Sequence, residues 1–282
     1  VDMNSDGDRI AISSRYHDSQ KGHVRVYDRD SSNTTVEPIG WTKVGNDIDG
    51  EAIQDEFGYS LAMSDDGLRI VVGARYNDAT VSWSNRGHVR VYEWDGSSWN
   101  KVGNDIDGEA LNDYSGWSVA TNSSGYRIAI GARNNDGNGS NSGHVRVYDW
   151  NGTSWDKVGN DIDGEASKDY FGYSVAMSND GSRVAIGATK RFSDGRGYVR
   201  VFDLVGSSWT QVGNDIDGEA SGDWSGHSVA MNINGTRIAI GAINNDGNGN
   251  NSGHVRVYDY RQYTQTDEDN STYHYTSQEQ GT

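Results

Sequence analysis

The stretch SVAMSNDGSRVAIGATKRFSDGRGYVRVFDLVGSSWTQVGNDI, residues 174–216, decides the fold. It opens with SVAMS, turns through Asn179-Asp180-Gly181, and continues as RVAIGA. A polar loop then leads to YVRVFD, and Gly206-Ser207 turns the chain into SWTQVGNDI. These runs are β-branched or aromatic, alternate with period two, and are bounded by Gly, Asn, Asp and Ser. The pattern predicts four short antiparallel strands, the last over residues 208–216.

The same unit recurs along the chain. Its turn glycine falls at Gly7, Gly67, Gly125, Gly181 and Gly235, so the repeat is 54–60 residues long. The third strand begins beside Gly22, Gly87, Gly143, Gly197 and Gly253. With one proline and no apolar run of helical period, helices are nearly excluded. Four antiparallel strands per repeat of this length mark a propeller blade. The expected fold is therefore all-β: a β-propeller of five blades over residues 1–260. Residues 261–282 read as a polar tail, in which TYHYTSQ (residues 272–278) alternates like a strand able to complete the last blade or a neighbour's.

Between blades the chain repeats GNDIDGEA four times without change, at residues 45–52, 103–110, 159–166 and 213–220. With the acid three residues beyond, each copy carries four carboxylates at loop positions one, three, five and nine. They are Asp47, Asp49, Glu51 and Asp55; Asp105, Asp107, Glu109 and Asp113; Asp161, Asp163, Glu165 and Asp169; and Asp215, Asp217, Glu219 and Asp223. Oxygen ligands so spaced suit a hard cation, with Ca2+ the natural candidate. The opposing reading is structural. Arg25, Arg90, Arg146, Arg200 and Arg256 stand in fixed register on the third strand and could neutralise the loop by ion pairing. A second column, Arg9, Arg69, Arg127, Arg183 and Arg237, offers the same.

The words Phe57-Gly58 with Gly73-Ala74, and Phe171-Gly172 with Gly187-Ala188, give the sequence a resemblance to the FG-GAP family of integrin-type propellers. Gly131-Ala132 and Gly241-Ala242 keep the second word, while Ser115-Gly116 and Ser225-Gly226 replace the first. The resemblance covers about residues 1–260 and implies a propeller that works through surface contacts. It also implies calcium in the hairpin between the two words. Here that hairpin reads AMSDDGLRI (residues 62–70), ATNSSGYRI or AMSNDGSRV, with Ala for the first carboxylate and Arg at the far end. Calcium is not expected there.

Composition narrows the function. Lys plus Arg is 24 and Asp plus Glu is 41, a net charge of −17, which argues against nucleic acid and anionic lipid as partners. No cysteine is present, so no thiolate chemistry is available, and no apolar run is long enough to insert in a membrane. Seven glycosylation sequons, at Asn33, Asn122, Asn138, Asn151, Asn234, Asn250 and Asn270, exceed the roughly four that composition alone gives. They point to an extracellular or cell-surface glycoprotein.

Ser, Asp and His sit at repeated positions, including His23, His88, His144 and His254, and no one-off catalytic constellation stands out. The chain is read as no enzyme. The loop NNDGNGSNSGH (134–144) is echoed as NNDGNGNNSGH (244–254), while the corresponding loops of the other copies are quite different, as binding loops on a rigid scaffold are. The expected function is adhesion or interaction with protein or glycan partners, including self-association through an open blade edge into a surface or fibril assembly. The alternative is a lectin-like propeller, with Tyr114, Trp117, Tyr173 and Trp224 stacking on sugar rings.

Overall fold

The computed structural model describes residues 1–78, 84–190, 194–261 and 274–277. Among the described residues the strands pair antiparallel, with isolated parallel bridges at Gly87–Ser115, Gly143–Phe171 and Gly197–Ser225, and the one helical element is a four-residue turn at His17–Gln20. No helix among the described residues is long and apolar enough to cross a membrane. Two compact units are formed: Val1–Ala132 with Tyr148–Lys157, and Arg133–Val147 with Val158–Thr282.

The fourth sheet, in the second unit, shows the pattern. Phe171–Met177, Arg183–Ala188, Tyr198–Val205 and Ser208–Gln211 lie side by side in chain order. The expected fourth strand over 208–216 is broken. After Gln211 the chain turns at Gly213, whose φ is +71°, and only Ile216–Asp217 re-enters the sheet. This short linking strand pairs with the first half of the third strand, Ile216 opposite Val199, while Ser208–Gln211 pairs with its second half. One edge thus holds two consecutive pieces. A left-handed residue between them forbids a continuous strand, and glycine takes that conformation at little cost.

The first and second sheets, in the first unit, repeat this plan, with Ile48–Asp49 and Ile106–Asp107 as linking strands. The fifth sheet has four strands, and its outer one is His274–Ser277, paired with His254–Arg261. This outer strand lies beside the second half of the last third strand, residues 258–261.

Alternation gives each sheet two apolar faces. One carries Ala or Val of the second strand with two Val of the third; the other carries two Ile or Val with an aromatic. In the first unit, Ala11, Val24 and Val26 pack on Ile70, Val72 and Tyr92 of the next sheet. Val71, Val89 and Val91 then pack on Ile128 and Ile130. In the second unit, Ala185, Val199 and Val201 pack on Ile238, Ile240 and Tyr258. Each fully buried Val or Ile contributes about 1.5–3 kcal/mol, so these stacked faces are the core.

Polar contacts repeat at the same joints. Ser5 N–H donates to the Asp65 carbonyl, Asp65 N–H to Ser123, and Asn179 N–H to Ile233, linking one hairpin to the next. Arg9, Arg69 and Arg183 each donate Nη1 to a turn carbonyl of the following hairpin, at Gly67, Ser124 and Gly235. A guanidinium thus serves the hairpins that the family resemblance associates with calcium. The outer-strand Trp99, Trp155 and Trp209 donate Nε1 to Val44, Val102 and Val158 of the preceding copy. Five sheets of blade type, joined face to face in this way within each unit, make the fold class β-propeller.

Candidate functional site

The glycines, the isoleucine and most of the acids of the GNDIDGEA link have physical roles. The opening Gly45 and Gly103 take φ near +72°, and a Cβ there would strike Trp94 or Trp150. Ile48, Ile106, Ile162 and Ile216 are buried as the inward residues of the linking strand. The second glycine lies against backbone: a Cβ on Gly50, Gly108, Gly164 or Gly218 would stand 2.2–2.3 Å from a carbonyl oxygen. Only glycine fits so close an approach.

The four carboxylates part company. At position one, Asp47 accepts Nε and Nη2 of Arg25 and the ammonium of Lys43. Asp105 accepts a two-point contact from Arg90 at 2.9 and 2.7 Å, plus Lys101. Asp161 meets Arg146, and Asp215 meets Arg200 and Gln211. The hydrogen bonds from Arg25 and Lys43 hold Asp47 well below the usual carboxylate range. Burial alone would raise Asp105, but Arg90 and Lys101 outweigh it and hold it low as well.

Position five reaches forward. Glu51 pairs with Arg90 of the next sheet, Glu165 with Arg200, and Glu219 with Arg256. Arg90 and Arg200 therefore each bridge the glutamate of one link and the aspartate of the following link. Position nine turns inward. Asp55, Asp113, Asp169 and Asp223 are buried and accept the backbone N–H of Ala52, Ala110, Ala166 and Ala220. Asn77 and Asn245 also donate to Asp55 and Asp223, and the Tyr198 hydroxyl to Asp169. Burial raises the Asp55 carboxyl, with the Asn77 bond opposing.

Position three stays in the linking strand. Asp49, Asp107 and Asp217 are exposed residues, and Asp163 is half-buried. Partial burial and the charge of Asp105 raise Asp107. Among the described residues, the four acids of no single link gather as one metal-ligating group; the group found in the first unit is Glu51, His88 and Asp105, from two links and a strand. Arg90 already sits between its two acids. Within one link the acids turn toward different partners, those at position one toward the third-strand arginine of the sheet just left and those at position five toward that of the next sheet. The second arginine column does not serve the link either. Arg9, Arg127, Arg183 and Arg237 pair across their own sheets with Asp28, Asp149, Asp203 and Asp259, and Arg69 with Glu93.

In the histidine column His23, His88 and His144 are buried, while His254 is half-buried. His88 lies 3.9 Å from Asp105 and 4.0 Å from Glu51 through Nδ1. Burial, reinforced by Arg90, lowers it to about 4, so it is neutral at pH 7. The fourth copy replaces it with Tyr198, equally buried.

The second half of each link docks on the variable loop of the sheet it leaves. Asn112, Tyr114 and Ser115 N–H donate to Ser84, Asn85 and Arg86. Lys168, Tyr170 and Phe171 do the same to Ser140, Asn141 and Ser142. Links and variable loops are therefore one surface in each repeat. Within the loops, Asp136 and Asp246 accept N–H of Asn141 and Asn251, fixing the loop rather than opening toward a ligand. In the second copy, Arg75 lies over the rings of Tyr59, Tyr76 and Trp117 and pairs with Glu56. Of the rings considered for sugar stacking, Trp117 is buried, Tyr173 leans on His227, Tyr114 packs edge-on against Tyr76, and Trp224 is half-buried.

The sequon asparagines divide likewise. Asn33, Asn138 and Asn151 use their side-chain amides in hydrogen bonds, and Asn122 accepts the Arg127 N–H. Asn234 and Asn250 are exposed, and Asn270 lies outside the described residues.

Comparison with known proteins gives one family. The FG-GAP repeat matches residues 48–92, 106–148, 162–202 and 215–258, more than half of the chain. Each match runs from a linking strand through the third strand of the next sheet, so the family's unit straddles a joint. Among solved structures, a chain of Kuenenia stuttgartiensis hydrazine synthase superposes with a TM-score of 0.55 at 14% identity. The likeness covers 91% of this chain and 60% of that one, and at such identity it is one of fold alone. No curated protein matches the sequence.

Proposed function

The chain belongs to the FG-GAP repeat family, and from that premise we propose that it is a non-enzymatic adhesion or interaction propeller working at the cell surface or outside the cell. The observation that carries the reading is a division of labour within each repeat. The repeated charges at link positions one, five and nine are consumed by internal partners. The loops between second and third strands, in contrast, take several different sequences among the copies, and are held beside the links by backbone bonds and by a few side-chain amides such as Asn77, Asn138 and Asn245. Rigid seats with changeable loops are how binding surfaces are built. The charge of −17 favours partners with cationic surfaces.

Assembly of copies is the second version of this reading. His274–Ser277 pairs beside residues 258–261, which leaves the edge beside 254–257 as the place for a strand from a second copy. A sugar-binding role draws less support, because Trp117 is spent in the core.

The test is binding of the purified chain to arrays of extracellular proteins and of glycans, repeated with residues 134–142 replaced by a Gly/Ser stretch of equal length. Protein binding that is lost on replacement at unchanged melting temperature supports the proposal. Glycan binding alone moves the assignment to the lectin alternative, and turnover of any arrayed ligand defeats the non-enzymatic reading.

A further inference from the structure

We propose that the fourth sheet carries a site for one neutral pyranose ring, such as the terminal sugar of a glycan, in the cleft between its outer edge and the link that precedes it. Such a site uses neither the variable loops nor the rings considered above for sugar stacking, and so goes beyond the interaction reading. Burial of Trp117 weakens a sugar site at the loops and has no bearing on this cleft. Three departures of the fourth copy from the others fall on one face, beside a cavity.

In the third strand, Phe202 stands where the other copies have Tyr27, Tyr92, Tyr148 and Tyr258, and Leu204 where the second and third have Trp94 and Trp150. In the outer strand, Gln211 replaces Lys43, Lys101 and Lys157. Register sets Phe202 opposite Gln211 and Leu204 opposite Trp209, so all four share a face with Arg200. The exchange at Leu204 removes a ring from a tight place. Trp94 packs on Trp99 at 5.4 Å and Trp150 on Trp155 at 5.3 Å, and the first ring of each pair lies against Gly45 or Gly103. Around Gly159 the atoms nearest to an added Cβ belong instead to Ser207 and Trp209. A cavity of about 180 Å³ lies here, with Phe202, Trp209 and Gln211 on one side and residues 160–163 on the other. Pockets for drug-sized ligands run to about 300–1,000 Å³, so this one suits a single ring.

The lining matches a sugar. Phe202 and Trp209 offer apolar surface to the C–H face of a pyranose, and the polar rim offers hydrogen bonds to its hydroxyls. Trp209 donates Nε1 to the Val158 carbonyl, which fixes the plane of its ring. Gln211 donates through Nε2 to Asp215, leaving Oε1 to accept. Arg200 binds Asp215 and Glu165 through Nε and Nη2, leaving Nη1 to donate. The Ser208 hydroxyl and the Asn160 amide complete the rim. Charge disfavours an acidic sugar. The exchange of lysine for Gln211 takes a cation from this edge, and Asp161 and Asp163 stand on the opposite wall.

Saturation-transfer NMR and calorimetric titration of the full chain test this, with methyl pyranosides of glucose, galactose, mannose and the N-acetylhexosamines as neutral probes and glucuronic acid as the acidic one. At least one neutral pyranoside should bind, with saturation concentrated on one face of its ring, and glucuronic acid should bind at least tenfold more weakly. Leu204→Trp restores the ring of the second and third copies and should cut affinity at least tenfold at an unchanged or raised melting temperature. Gln211→Lys, at an exposed residue, should weaken binding several-fold and stands as the second variant if the tryptophan disturbs the fold. A wild type that binds none of the neutral sugars overturns the proposal, as does binding that survives both substitutions undiminished. Tighter binding of glucuronic acid overturns it as well. Protein binding through residues 134–142 is read on the same variants, so a cleft that fails to bind sugar while the loops still bind protein defeats this inference alone.

Discussion

Arg90 and Arg25 hold the same place in the repeat yet carry different loads. Arg90 is buried between Glu51 and Asp105, while Arg25 is half-exposed and has Asp47 as its acid. Removing one partner of a buried pair strands a charge, so Arg90→Ala should destabilise by about 3–5 kcal/mol. Arg25→Ala, screened by solvent, should lose less than about 1 kcal/mol. Urea unfolding of the two variants checks the contrast, and equal losses would refute it. His88 supplies a second prediction. Its folded-state value near 4 lies below the ordinary 6.5, so the unfolded chain binds the proton more readily. Stability from this group is full above pH 6.5 and declines as pH falls toward 4. His88→Tyr, borrowing the residue of the fourth copy, should flatten the pH dependence of melting in that window. At this scale the repeated letters were plain in sequence, and so was the choice of Arg25 and its equivalents as partners. The burial of Asp55, Asp113, Asp169 and Asp223 was read instead as a ninth ligand position. The available signal was the three-residue spacing from Ala52 and its copies, at which a carboxylate caps a turn N–H.

At the scale of elements, second and third strands were legible from alternation, and Arg183–Ala188 ends where the pattern does. The outer strand was not, because SWTQVGNDI reads as continuous while Gly213 turns left-handed in its middle. Two glycines of this region should respond oppositely to substitution. Gly218→Ala places a methyl 2.2 Å from the Arg196 carbonyl and should destabilise by about 1–3 kcal/mol. Gly206 has open space around it, and Gly206→Asn, with a residue that tolerates positive φ, should be close to neutral. Denaturant midpoints decide both. The link as an element also predicts a metal response. With position-one acids on arginine and position-nine acids capping turns, adding Ca2+ or a chelator should leave the melting temperature in place. A rise with Ca2+ would show a site on the link that binds the folded chain.

At the scale of the molecule, the five-fold repeat gave the fold class, since one blade pattern seen five times constrains far more than one strand seen once. The link has a consequence of another kind. Residues 103–110 and 159–166 are identical, and each described joint is made by the same contacts. A deletion of residues 103–158 would join Val102 to Gly159 and restore the link letter for letter. No joint records how many sheets stand before or after it. Recombination between copies in register can therefore lengthen or shorten the array a whole blade at a time, without leaving a seam for the fold to repair.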